Sequence, residues 1–544
     1  MKKKILTILI FVFCMAVCGM MTACGLGDSS QSAEHEHDYA FTVTAPTCTE
    51  EGYTTYRCKT CSDEYVGEKT AALGHDYASA VTEPTCTEEG YTEYKCKRCS
   101  AEYVGDIVDA LGHDYTHTHT EATCTTDGQD EYLCNRCQYS YTENFVKAKG
   151  HTYLLGVCAN CEEDYPLAQG LKMAEYKTYA MVLSYKGTAS EVEVPAYYHR
   201  VPVTEIADNA FAGAKLNSLT LPCTLERIAD GAFDNASIRK VSFGGSYVSW
   251  KYLVQDTTLV ALSNVEYLDS AQYGYLQMPK SWQSFYFDLY SNCMDYLYGK
   301  TYAQSMESDG VTLYYIAEMN LQKYGISTAE AISVHQTFNV ENPQFFWMRN
   351  YTFLFGAASL YWQPCDVLCN TYEKMISYKE AIREMYAAVA EVLLECDTDY
   401  ARGKAIFDYI RRHTSYIDDT AAETNSGCGQ AHSMLGFVNG HGVVCEGYAK
   451  TFQYLCTGNG IRALSVVGLA DQNGSSWGFH AWNMIYLEDN RWHCVDVTWG
   501  ESRRYYCRGK TNFYTTHKPG SSSATGQGYW YDLPEPIDTE MYTG

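Results

Sequence analysis

Between residues 37 and 161, cysteine and histidine recur with a fixed step of 38. His37, His75, His113 and His151 are in register, as are Cys48, Cys86 and Cys124 and the pairs Cys58/Cys61, Cys96/Cys99 and Cys134/Cys137. "HDY", "PTCTEEGYT" and "YxCxxC" recur around them with drift in the third unit, and a shortened last unit keeps His151, Cys158 and Cys161. A unit this small cannot be held by its own core, so it needs a staple. Three cysteines cannot all pair within one unit, whereas three thiolates and an imidazole complete a tetrahedral zinc shell, for which Cys-x2-Cys is a usual turn. Structural zinc is therefore expected, and a disulfide framework is the alternative for an exported chain. Either His37 or His75 can complete the set Cys48, Cys58 and Cys61. The shortened unit, where His151 precedes its pair, favours the preceding histidine. Four protein ligands leave no open position, so this metal serves structure and catalysis draws on no cofactor. His117 and His119 fall outside the pattern and read as surface residues.

Ahead of the repeats, Lys2, Lys3 and Lys4 precede a run from Ile5 to Ala23 that is almost wholly apolar or small, the pattern of an export signal. Its end, Met21-Thr22-Ala23-Cys24-Gly25, resembles a bacterial lipoprotein signal. The resemblance implies a signal peptide over 1–23, a lipid on Cys24, a polar tether over 24–36, and a place on the extracellular face of a bacterial membrane. The net charge of −26 argues against nucleic acid as a partner. The repeats, 37–165, resemble small zinc-ribbon modules.

A second period follows within 170–270. Ile-Ala-Asp-x-Ala-Phe stands at Ile206 and again at Ile228, and Leu219-Thr220-Leu221 is answered by Val241-Ser242-Phe243, both 22 residues apart. That period suits a solenoid with one strand per turn, and it resembles the leucine-rich repeats of bacterial surface adhesins. Two clear turns are fewer than a solenoid needs, so strands at 179–186 and 253–262 are expected to cap it. Its concave face is read as a protein-binding surface or, equally, as a spacer.

Residues 275–400 read as a helical extension. Ile382, Met385, Tyr386, Val389 and Val392 repeat at helical spacing, and Phe345-Phe346-Trp347 reads as core. The last segment, 401–544, carries the chemistry. In "GVVCEGYAKTFQYLC", Gly442 breaks structure before Cys445, and Tyr448, Ala449, Phe452 and Leu455 form one helical stripe. Cys445 thus sits in the first turn of a helix, where outward N–H groups and the helix dipole favour a thiolate. "GFHAWNMIYL" and "RWHCVDVTWG" read as two strands joined by Glu488-Asp489-Asn490, an antiparallel hairpin. A three-residue turn sets Leu487 opposite Arg491 and Trp482 opposite Asp496. His480 and Asp496 then share a face, one diagonal step apart.

These motifs resemble the transglutaminase-like cysteine hydrolase superfamily, over about 100 residues from Ala405 to Gly500. Val497 stands where members often have proline. The resemblance implies a papain-like α+β core in which Cys445 is the nucleophile, His480 the base and Asp496 its orienter. It also implies an oxyanion donor, with Tyr416 in "RHTSYID" the first candidate and Gln430 the second. The fold class is therefore multidomain: zinc-ribbon-like β-rich repeats, a short leucine-rich segment, and a papain-like transglutaminase core with a helical extension. The expected function is a cell-surface enzyme that acts on protein or peptide amides through a cysteine thioester, as a peptidase rather than a cross-linking transamidase. Cell-wall peptide or host surface protein are the substrates envisaged. The alternative is an adhesion or scaffold protein with an inert domain of this type.

Overall fold

In each repeat the recurring Thr-Cys-Thr encodes a tight turn. The Thr47 hydroxyl accepts from the Glu50 amide at 3.0 Å, and Thr85 does the same for Glu88 at 2.9 Å. The chain leaves that turn as the middle strand of a three-stranded antiparallel sheet: Tyr39–Thr44, Gly52–Cys58 and Glu64–Thr70 in the first repeat. Tyr77–Thr82, Gly90–Cys96 and Glu102–Val108 repeat it, as do Tyr115–Thr120, Gly128–Cys134 and Ser140–Val146. Tyrosine pairs stack between the middle and third strands, Tyr56 on Tyr65 at 5.0 Å and Tyr94 on Tyr103 at 4.8 Å. Phe41, Val43, Val66, Val81 and Val104 are nevertheless exposed, while Cys48, Cys58, Cys86 and Cys96 are buried. The sheets are organised around their cysteines and not around an apolar core.

The computed structural model describes residues 35–267, 272–308, 310–348, 353–355, 359–362, 368–417, 429–471, 476–500, 505–520 and 532–544. The leader with Cys24, nearly all of the tether, and Cys428 lie outside these residues. The chain divides into two compact units, one of residues up to Thr120 with Gln129–Phe145, the other of Glu121–Gly128 with Val146–Gly544. Among the described residues, no helix is long and apolar enough to cross a membrane.

In the second unit the 22-residue period becomes two parallel ladders. Glu191–Glu193, Lys215–Leu221, Ser237–Phe243 and Val265–Tyr267 form one sheet, with Leu219 beside Val241 and Leu221 beside Phe243. Ala180–Tyr185, Val201–Ile206 and Arg227–Ile228 run parallel in the other, and Phe211 stacks on Phe233 at 5.2 Å between turns. The expected capping strand at 253–262 is not one. Ser246 and Ser249 make a capping box that starts a helix at Tyr247–Val254, and a 3-10 turn follows at Thr258–Ala261.

Three long helices follow: α1 (Lys280–Leu297), α2 (Thr328–Glu341) and α3 (Tyr372–Val392). The extension is less purely helical than its sequence suggests, since the hairpin Gln304–Ser308/Val311–Tyr315 and short strands from Ala317 to Trp362 interrupt it. Phe345, Phe346 and Trp347 are buried, as expected. Thr398 caps α4 (Asp399–His413), and α5 (Cys445–Gly458) packs on an antiparallel sheet. That sheet has the order β3-β2-β1-β4, from β1 (Ala463–Ala470), β2 (Gly478–Tyr486), β3 (Trp492–Val495) and β4 (His517–Pro519). One continuous buried cluster runs from Leu171 through α1–α5 to Cys507. A smaller one, with Leu464, Val466, Trp482, Met484 and Cys494, fills the other face of the sheet.

Candidate active site

The start of α5 is fixed by backbone on two sides. The Val443 amide donates to Ser415 O at 3.0 Å, and the Ile417 amide to Val443 O at 3.2 Å. The Val444 amide donates to Ala431 O at 3.1 Å. Val444 is the N-cap and no side chain caps the helix, so the first-turn amides, including that of Cys445, have no intrahelical partner. Polar ties then set α5 against the sheet: Asn483 Nδ2 donates to Ala449 O at 2.9 Å, and the Ser465 amide donates to Gln453 Oε1 at 2.9 Å. Cys445 is part-exposed at the helix mouth.

The hairpin has the register its turn length implies. Tyr486 pairs with Trp492, Met484 with Cys494 and Asn483 with Val495, and the Leu487 amide donates to Arg491 O. His480 and Asp496 consequently meet, with Nε2 to Oδ2 at 2.9 Å. The Cys445 thiol reaches the same ring. Trp499 stacks on the ring at 4.6 Å and 21°, and so fixes its plane. Burial acts to lower the His480 pKa, but the Asp496 carboxylate and then Cys445 outweigh it, and the value rises to about 10.

Asp496 is fully buried and fully satisfied. Oδ1 accepts from the amides of Thr498 at 2.9 Å and Trp499 at 3.2 Å, and Oδ2 from His480 and from His517 Nε2 at 3.2 Å. Burial opposes its charge, yet His480 and His517 more than compensate, and its pKa is held below the usual carboxylate range. His517, on β4, is a member of this cluster that sequence reasoning missed. It lies 21 residues beyond Asp496, and nothing in "TTHKPG" marks it.

The remaining expected residues are less closely tied to the thiol. The Tyr416 backbone bridges to Val443, and its ring is half exposed. Gln430 is buried in a 3-10 turn, where its Oε1 accepts from Asn439 at 3.0 Å. Behind Cys445, Glu446 pairs with Lys450 at 2.8 Å and with His432 at 3.0 Å. Among the described residues, Cys456, Cys494 and Cys507 are buried thiols without a disulfide, and burial pushes their pKa values up.

All fifteen repeat residues expected as ligands fall into clusters, but not in the groups of one repeat. Cys48 meets His75, Cys96 and Cys99; Cys86 meets His113, Cys134 and Cys137; Cys124 meets His151, Cys158 and Cys161. His37, Cys58 and Cys61 are joined by His35. Neither His37 nor His75 completes a set of Cys48, Cys58 and Cys61. The sheet carries the first cysteine of a repeat away from its own Cys-x2-Cys turn and toward that of the next. The histidine ahead of each Cys pair is the one that joins it. His117 and His119 both approach Asp130, at 2.8 and 2.7 Å.

Residues 386–497 match the family model of the transglutaminase-like superfamily, which places a transglutaminase-like domain in the C-terminal part of the chain. Kyphoscoliosis peptidase of Homo sapiens is 34% identical over 136 residues, 24% of this chain and 20% of that protein. Its Mus musculus counterpart is 31% identical over 156 residues, 26% and 22% of the respective chains. This chain thus spans about a fifth of the length of these relatives. A solved TGase structure aligns at 16% identity over 28% of this chain and 44% of that one, with a TM-score of 0.21.

Proposed function

We propose that the transglutaminase-like domain is a working cysteine enzyme that cleaves protein or peptide amides. The observation that carries this reading is the convergence of Cys445, His480 and Asp496 from a helix start and a hairpin. His480 takes the Cys445 proton on Nδ1, since Nε2 is engaged by Asp496. The sulfur attacks the amide carbonyl, and the Cys445 amide, unpaired within its helix, donates to the developing oxyanion. Tyr416, on the segment bridged to Val443, supplies the second donor. His480 returns the proton to the leaving amine, and water resolves the thioester. An amine acceptor in place of water gives transamidation by the same intermediate. The matched relatives bear the name peptidase, which favours water.

A lipid on Cys24 would hold this activity at the outer face of a bacterial membrane, against cell-wall peptide or host surface protein, with the 22-residue coil as docking surface or spacer. The test is mass spectrometry of glutamine-containing peptides incubated with the protein and a primary amine. Cleavage that disappears in Cys445→Ala and after iodoacetamide supports the peptidase. Amine adducts that disappear likewise make it a transamidase. Products unaffected by either treatment leave the domain as a binding module of an adhesion or scaffold protein.

A further inference from the structure

We propose that the repeats bind four zinc ions in an interlocked series, in which three of the ions are each shared by two consecutive repeats. Two thiolates about 2.3 Å from one ion at the tetrahedral angle lie about 3.8 Å apart, and a thiolate and an imidazole about 3.6 Å apart. Cys48 and Cys96 sulfurs are 3.7 Å apart, as are those of Cys86 and Cys134, and of Cys124 and Cys158. Cys99 lies 3.3 Å from His75 Nδ1, Cys137 3.4 Å from His113 Nδ1, and Cys161 3.4 Å from His151 Nδ1. In each cluster all four ligand atoms lie within 4.8 Å of one another. A disulfide needs about 2.05 Å between sulfurs and would leave one cysteine over in each of the three clusters that hold three.

The two ends of the array support the same register. Because the first cysteine of each repeat serves the next site, the final unit needs only His151, Cys158 and Cys161, and this is where it stops. At the other end, the position one period before Cys48 is Ile10, so the first site lacks its third thiolate. His35 takes that place, with Nε2 3.5 Å from Cys58 while His37 Nδ1 is 3.4 Å from Cys61. The first site is then Cys2His2 and neutral with Zn2+, and the other three are Cys3His with one net negative charge each. Where the sheets leave Phe41, Val43 and Val81 in solvent, an ion between neighbours does what a hydrophobic interface would otherwise do.

The grouping is tested on the full chain by zinc content. Wild type is expected to hold four zinc ions, with sulfur and imidazole but no disulfide sulfur in its X-ray absorption spectrum. Cys96→Ser/Cys99→Ser is expected to hold three. Adding Cys48→Ser leaves that number and the chelator-release rates unchanged, whereas adding Cys86→Ser weakens a second site and speeds release of one more ion. The reverse pattern places each cysteine triplet in its own repeat and overturns the proposal, as does a metal-free wild type with paired cysteines. Peptidase activity tracks whether the variants fold and is expected to survive the serine changes.

Discussion

His517 Nε2 lies 3.2 Å from Asp496 Oδ2, the oxygen that also binds His480. Both residues are wholly buried, and burial pushes the His517 pKa down. A neutral His517 that donates to Asp496 carries its proton on Nε2, and its Nδ1 faces the Thr516 hydroxyl at 2.9 Å and the Phe513 carbonyl oxygen at 3.3 Å. Phe513 stacks on the ring at 3.9 Å and holds it there. His517 thus acts through Asp496, as a positioning residue. His517→Phe keeps the packing and removes the donor. It is expected to cost about 2 kcal/mol of stability, the scale of a hydrogen bond to a charged group. Turnover should fall about tenfold, as for other outer-shell partners. Asp496 also loses a donor that lowers its pKa, so the acid limb of the pH profile should rise while the alkaline limb stays. His517→Gln, which restores a donor, should recover the limb; a purely structural role would move stability alone.

The alkaline limb belongs to His480. Its pKa is raised to about 10, so the proton it must give the leaving group is present below that value and lost as pH rises through it. The kcat/KM of wild type is expected to decline near pH 10 with the loss of one proton. Asp496→Asn removes the carboxylate that raises the value and leaves the burial that lowers it. The limb should then fall by about 1–3 pH units. Turnover should drop by about 10³–10⁴-fold, as when a triad aspartate is neutralised. A fluorogenic peptide assayed across roughly pH 5–11 reads both the shift of this limb and the loss of turnover.

Local pattern was enough to find the nucleophile and its hairpin, because each rests on rules of short reach. Gly442 and the stripe from Tyr448 to Leu455 mark the helix, and a three-residue turn fixes which strand residues face each other. His517 was out of reach because β4 has three residues and its partner, β1, lies about fifty positions back. The sequence groups Cys48 with Cys58 and Cys61 of its own repeat, and the structure corrects that grouping, for a different reason. In a strict 38-residue period, Cys48 is as consistent with its own Cys pair as with the next, and only the path of the sheet separates them. The run at 253–262 suits a strand by composition, but the Ser246/Ser249 capping box draws its start into the helix Tyr247–Val254, and Thr257 caps the 3-10 turn Thr258–Ala261.

Glu446, next to the nucleophile, anchors α5 to α2. Its carboxylate pairs with Lys450 and His432, and Asn339 of α2 donates to it at 3.3 Å while accepting from Lys450 at 2.9 Å. Burial raises its pKa, but Lys450 and His432 prevail and hold it down to about 2. A carboxylate lowered on folding adds stability above its unfolded value of 4.5 and loses it as pH falls through about 2. Glu446→Gln leaves Lys450 buried without its counter-charge, and is expected to cost about 3 kcal/mol at neutral pH. The difference from wild type should shrink as pH is lowered from 4.5 toward 2, which urea melts along that range will show.

Gly447 completes the argument for why "CEGYA" reads as it does. A Cβ at this position would collide with the Ala431 carbonyl oxygen and stand 2.7 Å from Val443 Cβ. That carbonyl accepts from Val444, the bond that holds the 3-10 turn of Gln430 and His432 against the helix start. Both contacts are with backbone or a branched stem, so neither side can yield by rotating a flexible chain. Gly447→Ala gains helix propensity of about 1 kcal/mol. It also has to push the 430–432 turn off α5, an overpacking cost of about 1–3 kcal/mol. The expected outcome is a net loss of stability, with turnover falling more than substrate binding because the Cys445 amide moves relative to His480. Thermal melts together with separate kcat and KM values decide it: an alanine variant as stable and as fast as wild type would mean that the turn is free to shift.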